Sequence, residues 1–296
     1  MQLPGTRRAL TLADGRTLDY WEGGSPDGRP ILLQPGTPSC RLQGVLGHRV
    51  ARAAGVRLLS VSRPGYGSST TTPPGLASVG ADMVELADRL GVERFAVFGI
   101  SGGGPFAVAT ALAASARVLA LGVAAGVGYW PAVDPGSAPV EERRLLEEAD
   151  AGDLASAQAG FHAVARRELD PLLALDDEQM VAAFFEGAPP EDIDLSDRFF
   201  RSVWAADMRE ALAGAGGYDG YVRDNLSWGM RWDVDPSAVS VPAYLWYGEA
   251  DRMVPPVHGR WLADRLRWAR LEVRVGEGHG RTCFGHWRQM FDRLVG

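Results

Sequence analysis

Short, continuous apolar runs separated by helical stretches fill the first 125 residues, and this alternation restricts the fold more than any other feature of the chain. Residues 30–34, 56–61, 94–98 and 118–125 are runs of strand length. The first is ended by Pro35-Gly36, and an Ala-rich helical stretch running to about Ala114 precedes the last. Runs with no polar alternation belong to strands covered on both faces, and intervening helices make such strands parallel. Ahead of them, residues 8–12 and 17–21 flank Asp14-Gly15, the signature of a hairpin.

From residue 129 to 235 the pattern changes. No strand-like run occurs, while residues 141–154, 158–169, 178–185 and 199–213 carry apolar side chains at helical spacing. Breaks at Gly187-Ala188-Pro189-Pro190 and Gly214-Ala215-Gly216-Gly217 separate them. Strand runs return at 241–247 and 271–275, with helices over 256–266 and about 284–294. The reading is α/β: a mostly parallel, eight-stranded sheet flanked by helices. Residues 1–128 and 236–296 form the core domain, and 129–235 a helical cap inserted into it.

Composition narrows the classes. The chain has 296 residues, enough for a sizeable core, with 46% hydrophobic and 23% charged residues. A net charge of -7 without a Lys/Arg cluster argues against nucleic acid. The apolar stretch around 118–127 is interrupted by Gly122 and Gly126 and is too short to span a membrane. Residues 1–12 lack the pattern of a secretory signal, and two cysteines, Cys40 and Cys283, do not form a disulfide framework, so a cytoplasmic location is expected. Each cysteine lies near an expected active-site element, and the two are candidates to approach one another. No metal-ligand spacing or phosphate-binding glycine motif is present, so no cofactor is expected.

The chemistry centres on Gly99-Ile100-Ser101-Gly102-Gly103, a G-x-S-x-G pattern between a β-rich run and an Ala-rich helix. A serine there projects from the C-terminal edge of the sheet, and the N–H of Gly102 lies at a helix start, where negative charge is stabilised. Of the five histidines, His279 is the candidate base, because Gly276-Glu277-Gly278-His279-Gly280 directly follows the last strand. Its flanking glycines are read as leaving the ring free to swing inward. His48, His162, His258 and His286 fall in or at helices. Asp251, after the strand ending at Tyr247, is the candidate carboxylate, with Glu249 read as a rim residue. The order Ser101, Asp251, His279, each placed after a strand, is that of a Ser-His-Asp triad on this kind of sheet.

With these residues in place the chain resembles the α/β-hydrolase superfamily, and its closing segment is similar to bacterial proline-iminopeptidase-like and esterase-like serine hydrolases. Gly36-Thr37-Pro38 resembles the family's His-Gly-x-Pro turn, and Ser62-Arg63-Pro64-Gly65-Tyr66-Gly67-Ser68 its D-x-x-G-x-G-x-S segment. The resemblance implies that the backbone N–H groups of Thr37 and Gly102 form an oxyanion hole. Pro35 stands where the family has His, and Ser62 where it has Asp.

The leading expectation is hydrolysis of a small, largely apolar ester or related acyl compound through an acyl-enzyme, with a small-molecule substrate as partner, no nucleic acid, no membrane, and the oligomeric state open. Rival readings use the same residues for peptidase, C–C cleavage, lyase, cyclase or acyl-transfer chemistry in specialised metabolism, or make the chain a non-catalytic ligand-binding protein of the same fold. Trp130, Phe184, Trp204, Trp228 and Trp232 are candidate pocket residues, with a Trp228/Trp232 pair as the lining. Asp207, Glu210 and Asp219 are candidates to bind a cationic group.

Overall fold

The computed structural model describes residues 3–133, 139–195, 197–214 and 216–296. Ala215, inside one of the expected breaks, and residues 134–138, inside the expected cap, lie outside the described residues.

Eight strands form one sheet: β1 (Thr6–Thr11), β2 (Thr17–Gly24), β3 (Arg29–Gln34), β4 (Val56–Val61), β5 (Phe95–Ile100), β6 (Val118–Ala124), β7 (Ala243–Gly248) and β8 (Ala269–Arg274). Their spatial order is β1-β2-β4-β3-β5-β6-β7-β8. The hairpin β1–β2 and its β2–β4 neighbour are antiparallel, and every later pairing is parallel. Every residue of β5 is buried, which accounts for its lack of polar alternation. One face of the sheet packs a cluster containing Leu32, Val97, Phe106 and Leu121. The other packs Ile31, Phe98, Trp246, Trp287 and Phe291, with Phe98 meeting three of those rings edge-on at 6.1–6.4 Å.

Between β6 and β7 every regular element among the described residues is helical. The helices Val140–Asp150, Leu154–Leu173, Asp177–Phe184 and Arg198–Ala213 correspond to the four expected from spacing. Asp153 and Asp197 cap two of them through the backbone N–H groups of Ser156 and Phe200. The sequence reading lacked Asp219–Gly229. Its polar residues Arg223, Asp224, Asn225 and Ser227 are all buried, so its polar positions do not mark a solvent face. No described helix is long and apolar enough to cross a membrane.

Candidate functional site

β5 delivers Ser101 to the C-terminal edge of the sheet, and the chain turns at once through Ser101–Gly103 into the helix Gly104–Ala113. Ser101 has φ +51°, a left-handed conformation that is strained for a residue with a side chain. The turn closes only because its neighbours lack Cβ atoms. A Cβ on Gly99 would sit 2.7 Å from the carbonyl oxygen of Gly103, and one on Gly103 would sit 2.2 Å from that of Gln34.

His279 starts the short helix after β8, and Asp251 lies in the turn after β7. The Oγ of Ser101 lies 3.2 Å from His279 Nε2, and His279 Nδ1 lies 2.7 Å from Asp251 Oδ2. The other carboxylate oxygen of Asp251 accepts the N–H groups of Met253 and Val254 at 2.8 and 2.9 Å. Asp251 is therefore fixed at both ends, and with the imidazole proton on Nδ1 the Nε2 atom is free to accept one from serine. Burial opposes protonation of His279, while the Cys283 sulfur and the Asp251 carboxylate favour it; the balance lies well above the ordinary imidazole value. Burial keeps Cys283 itself a thiol, so Asp251 is the charge that holds an imidazolium.

The remaining histidines have other partners. His48 accepts the N–H of Gly24, His258 that of Gly128, His162 lies 3.4 Å from Asp219 and His286 2.7 Å from Glu277. Glu249 accepts the N–H of Gly276, away from the His279 ring.

The turn at Pro35-Gly36-Thr37 is held from behind by a residue the sequence reading did not single out. Arg63, with a fully buried side chain, donates to the carbonyl oxygens of Pro35 (2.5 Å) and Gly36 (2.7 Å), to Thr37 Oγ1 (3.1 Å) and to Asp224 (2.5 Å). Asp224 comes from the helix Asp219–Gly229 and also accepts the Thr37 hydroxyl at 2.8 Å. The Gly36 N–H is taken by Gln43 Oε1 at 2.9 Å. In a planar trans peptide the N–H points opposite to the C=O. Anchoring the Gly36 carbonyl on Arg63 thus turns the Thr37 N–H to the other side. Thr37 and Gly102 are packed so closely that a Cβ on Gly102 would lie 3.3 Å from the Thr37 nitrogen. The signal in the sequence was Pro35 itself: a turn lacking the family's histidine needs another buried donor.

Among the described residues, two chambers open from Ser101. The larger, about 250 Å³, is lined by Leu169, Leu172, Phe184, Trp204, Met208 and Phe284, with His279 and Cys283 at its base. The second, about 190 Å³, is bounded by Thr37 and Gly102 and carries Trp130, Glu142, Tyr221, Asn225 and Trp228. Of the five residues expected to line a pocket, Trp232 does not reach either chamber. It packs edge-on against Trp261 at 5.2 Å and donates its indole N–H to the carbonyl of Trp228. The partner of Trp228 is instead Trp130, at 5.5 Å.

The carboxylates expected to receive a cation are already engaged. Asp207 accepts from Ser39 Oγ, the Cys40 N–H and the Cys40 thiol, Glu210 pairs with Arg41, and Asp219 with His162. Cys40 and Cys283 are both free and buried, each with its own neighbours: Asp207 for Cys40, the His279 ring and the carbonyl of Ala124 for Cys283. The glycines flanking His279 also serve a different purpose from the one expected. A Cβ on Gly278 would meet Asp192 at 2.6 Å and Pro189 at 2.7 Å, and one on Gly280 would meet Phe185 at 2.6 Å. They admit close packing of the helical segment rather than movement of the ring.

Among the described residues, Glu142 is the carboxyl that lines one of these two chambers, and burial, reinforced by Glu168, pushes it up to about 7. A carboxyl raised on folding binds a proton more tightly in the native state, so its contribution to stability declines as pH rises from about 4.5 to about 7. Glu142→Gln is expected to be more stable than the parent at pH 8, by on the order of 1 kcal/mol, with the difference vanishing below pH 5. Thermal unfolding at both pH values checks this. Arg63→Ala strands Asp224 as a buried, unpaired charge and is expected to cost about 3–5 kcal/mol in urea unfolding. Arg63→Lys keeps the charge without the fork that grips two carbonyls. Its expected loss is about 10- to 100-fold in kcat against a test ester, larger than its loss of stability accounts for.

The model of the "Alpha/beta hydrolase family" matches residues 32–295. No curated protein matches the sequence. Among solved structures, an α/β hydrolase fold protein from Nakamurella multipartita is 21% identical over 98% of this chain and 99% of its own, with a TM-score of 0.71. The enol-lactonase from Burkholderia xenovorans LB400 is 21% identical over 97% and 98%, TM-score 0.60. A thermophilic esterase from Thermogutta terrifontis is 20% identical over 98% and 96%, TM-score 0.61. With a family match over nearly its whole length and this sheet order, the chain belongs to the α/β-hydrolase family.

Proposed function

We propose that this protein is a serine hydrolase of small, largely apolar esters or related acyl compounds, with residues 129–235 serving as a cap over the site. The observation that carries the reading is the hydrogen-bonded line from Ser101 Oγ through His279 to Asp251, opening into an apolar chamber of about 250 Å³. That volume is at the small end of ligand pockets, which favours a short substrate.

In the proposed reaction His279 Nε2 takes the Ser101 proton as Oγ attacks the carbonyl carbon. The negative charge that develops on the carbonyl oxygen is met by the N–H groups of Thr37 and Gly102. Asp251 holds the imidazolium, which then protonates the departing alkoxide. Water, deprotonated by the same His279, releases the acid and regenerates Ser101. The leaving oxygen must come within reach of His279, so the chamber lined by His279 suits the leaving group. Thr37 borders both chambers, and the one that Gly102 also bounds suits the acyl group. A lactone, the substrate class in the name of the Burkholderia xenovorans neighbour, is a cyclic ester and fits the same steps.

Ser101→Ala is expected to abolish turnover of p-nitrophenyl esters while the protein stays folded by circular dichroism; wild-type rates in that variant would refute the assignment. Because the base works only when neutral and its imidazolium is stabilised by Asp251, kcat/KM is expected to rise with pH through a value above 6.5. Asp251→Asn should move that limb to lower pH and cut kcat by about 10³- to 10⁴-fold.

A further inference from the structure

One carboxylate in the cap touches the general-base loop on both sides. Asp192, in the single helical turn Pro190–Ile193, accepts the N–H of Gly278 on Oδ1 at 3.0 Å and the N–H of Gly280 on Oδ2 at 2.7 Å. These are the residues immediately before and after His279. Asp192 is only 1% exposed, so water does not compete for either bond.

We propose that Asp192 is a positioning residue for His279, so that docking of this part of the cap is a condition for a competent base. The proposal rests on the serine-hydrolase reading above.

Two N–H groups bound by one rigid carboxylate fix the direction of the backbone on either side of the His279 Cα, and hence where the ring projects. Asp251 and Ser101 fix the far end of the same ring. With both ends held, the 3.2 Å separation between Nε2 and Oγ has little freedom to drift. The local chain has no internal substitute. Gly278 stands at the start of the helix His279–Phe284 without a side chain to cap it, so the orphan N–H of Gly280 is satisfied from the cap.

The packing around Asp192 is specific to this contact. A Cβ on Gly278 would lie 2.6 Å from Asp192 Oδ2, and one on Gly280 would lie 2.6 Å from Phe185 Cε1 and 3.2 Å from Asp192 Oδ2. The Gly-His-Gly sequence is therefore the imprint of the cap on the base loop. Phe184, Phe185, Pro189 and Asp192 border a cleft that His279 also lines, and Phe184 continues into the leaving-group chamber. The same cap segment thus borders substrate space and holds the base loop.

The test uses the full chain. Wild type is first treated with a fluorophosphonate; if Ser101 is not labelled, the serine-hydrolase reading fails and this proposal falls with it. With Ser101 labelled, Asp192→Asn is compared with wild type for kcat, KM and labelling rate. Asparagine offers one acceptor and turns an NH₂ toward the other N–H. The expected result is a fall of about 10- to 100-fold in kcat and in labelling rate together. KM should stay within about twofold, the mark of lost transition-state geometry rather than lost binding. Asp192→Glu, which keeps two acceptors, should recover part of the loss.

Wild-type kcat and labelling in folded Asp192→Asn would overturn the proposal, as would a raised KM at unchanged kcat. If Asp192→Asn does not fold, Gly278→Ala carries the test, since its methyl group would lie 2.6 Å from Asp192 Oδ2 and so displaces the same carboxylate. It should show the same drop in kcat at steady KM, and wild-type kcat in that variant would equally overturn the proposal.

Discussion

The site depends on a buried ion pair between two parts of the chain 161 residues apart, Arg63 after β4 and Asp224 in the helical segment. Such a pair adds little net stability, because desolvating both charges offsets most of their attraction. Its value is geometric. Five guanidinium N–H groups lie in one plane, and this one spends them on Asp224, Thr37 and the carbonyls of Pro35 and Gly36. The turn facing Ser101 is thereby fixed from its far side.

The same device recurs along the helical segment. Asp207 binds Ser39 and Cys40, just beyond that turn, and Asp192 binds the two residues around His279. Asp192, Asp207 and Asp224 are all almost completely buried. Each brings a carboxylate to a core loop whose N–H, hydroxyl or guanidinium groups would otherwise lack partners in a dry environment. The helices therefore do more than roof an apolar chamber, since the loops bearing the candidate chemistry take their shape from contacts with them.

Much of this was legible in the sequence. Buried strands advertise themselves as unbroken apolar runs, so β3 to β7 and the α/β class could be read directly, while the exposed β1 was legible only through the Asp14-Gly15 turn that pairs it with β2. The glycines around Ser101 announce a turn that tolerates no Cβ, and Asp251 and His279 were located by their place after β7 and β8. What stayed hidden was whatever depends on contact between distant segments. Arg63, Asp192 and Asp224 are charged residues, and charge in a sequence ordinarily marks a solvated surface. Their burial follows from pairing that no local pattern encodes. The helix Asp219–Gly229 was missed for the same reason, its polar residues being turned inward. Trp232 differs in the opposite sense: expected to line a pocket with Trp228, it instead ties its indole N–H to the Trp228 carbonyl and packs its ring on Trp261.

The central claim is that Ser101 becomes covalently acylated during turnover. Acid-quenching the protein within milliseconds of mixing with a p-nitrophenyl ester, followed by peptide mass spectrometry, addresses it directly. The account predicts the acyl mass on the peptide bearing Ser101, accumulating in step with the burst of p-nitrophenol. An adduct on Cys283 instead, or steady turnover with Ser101 unmodified at every quench time, would contradict it.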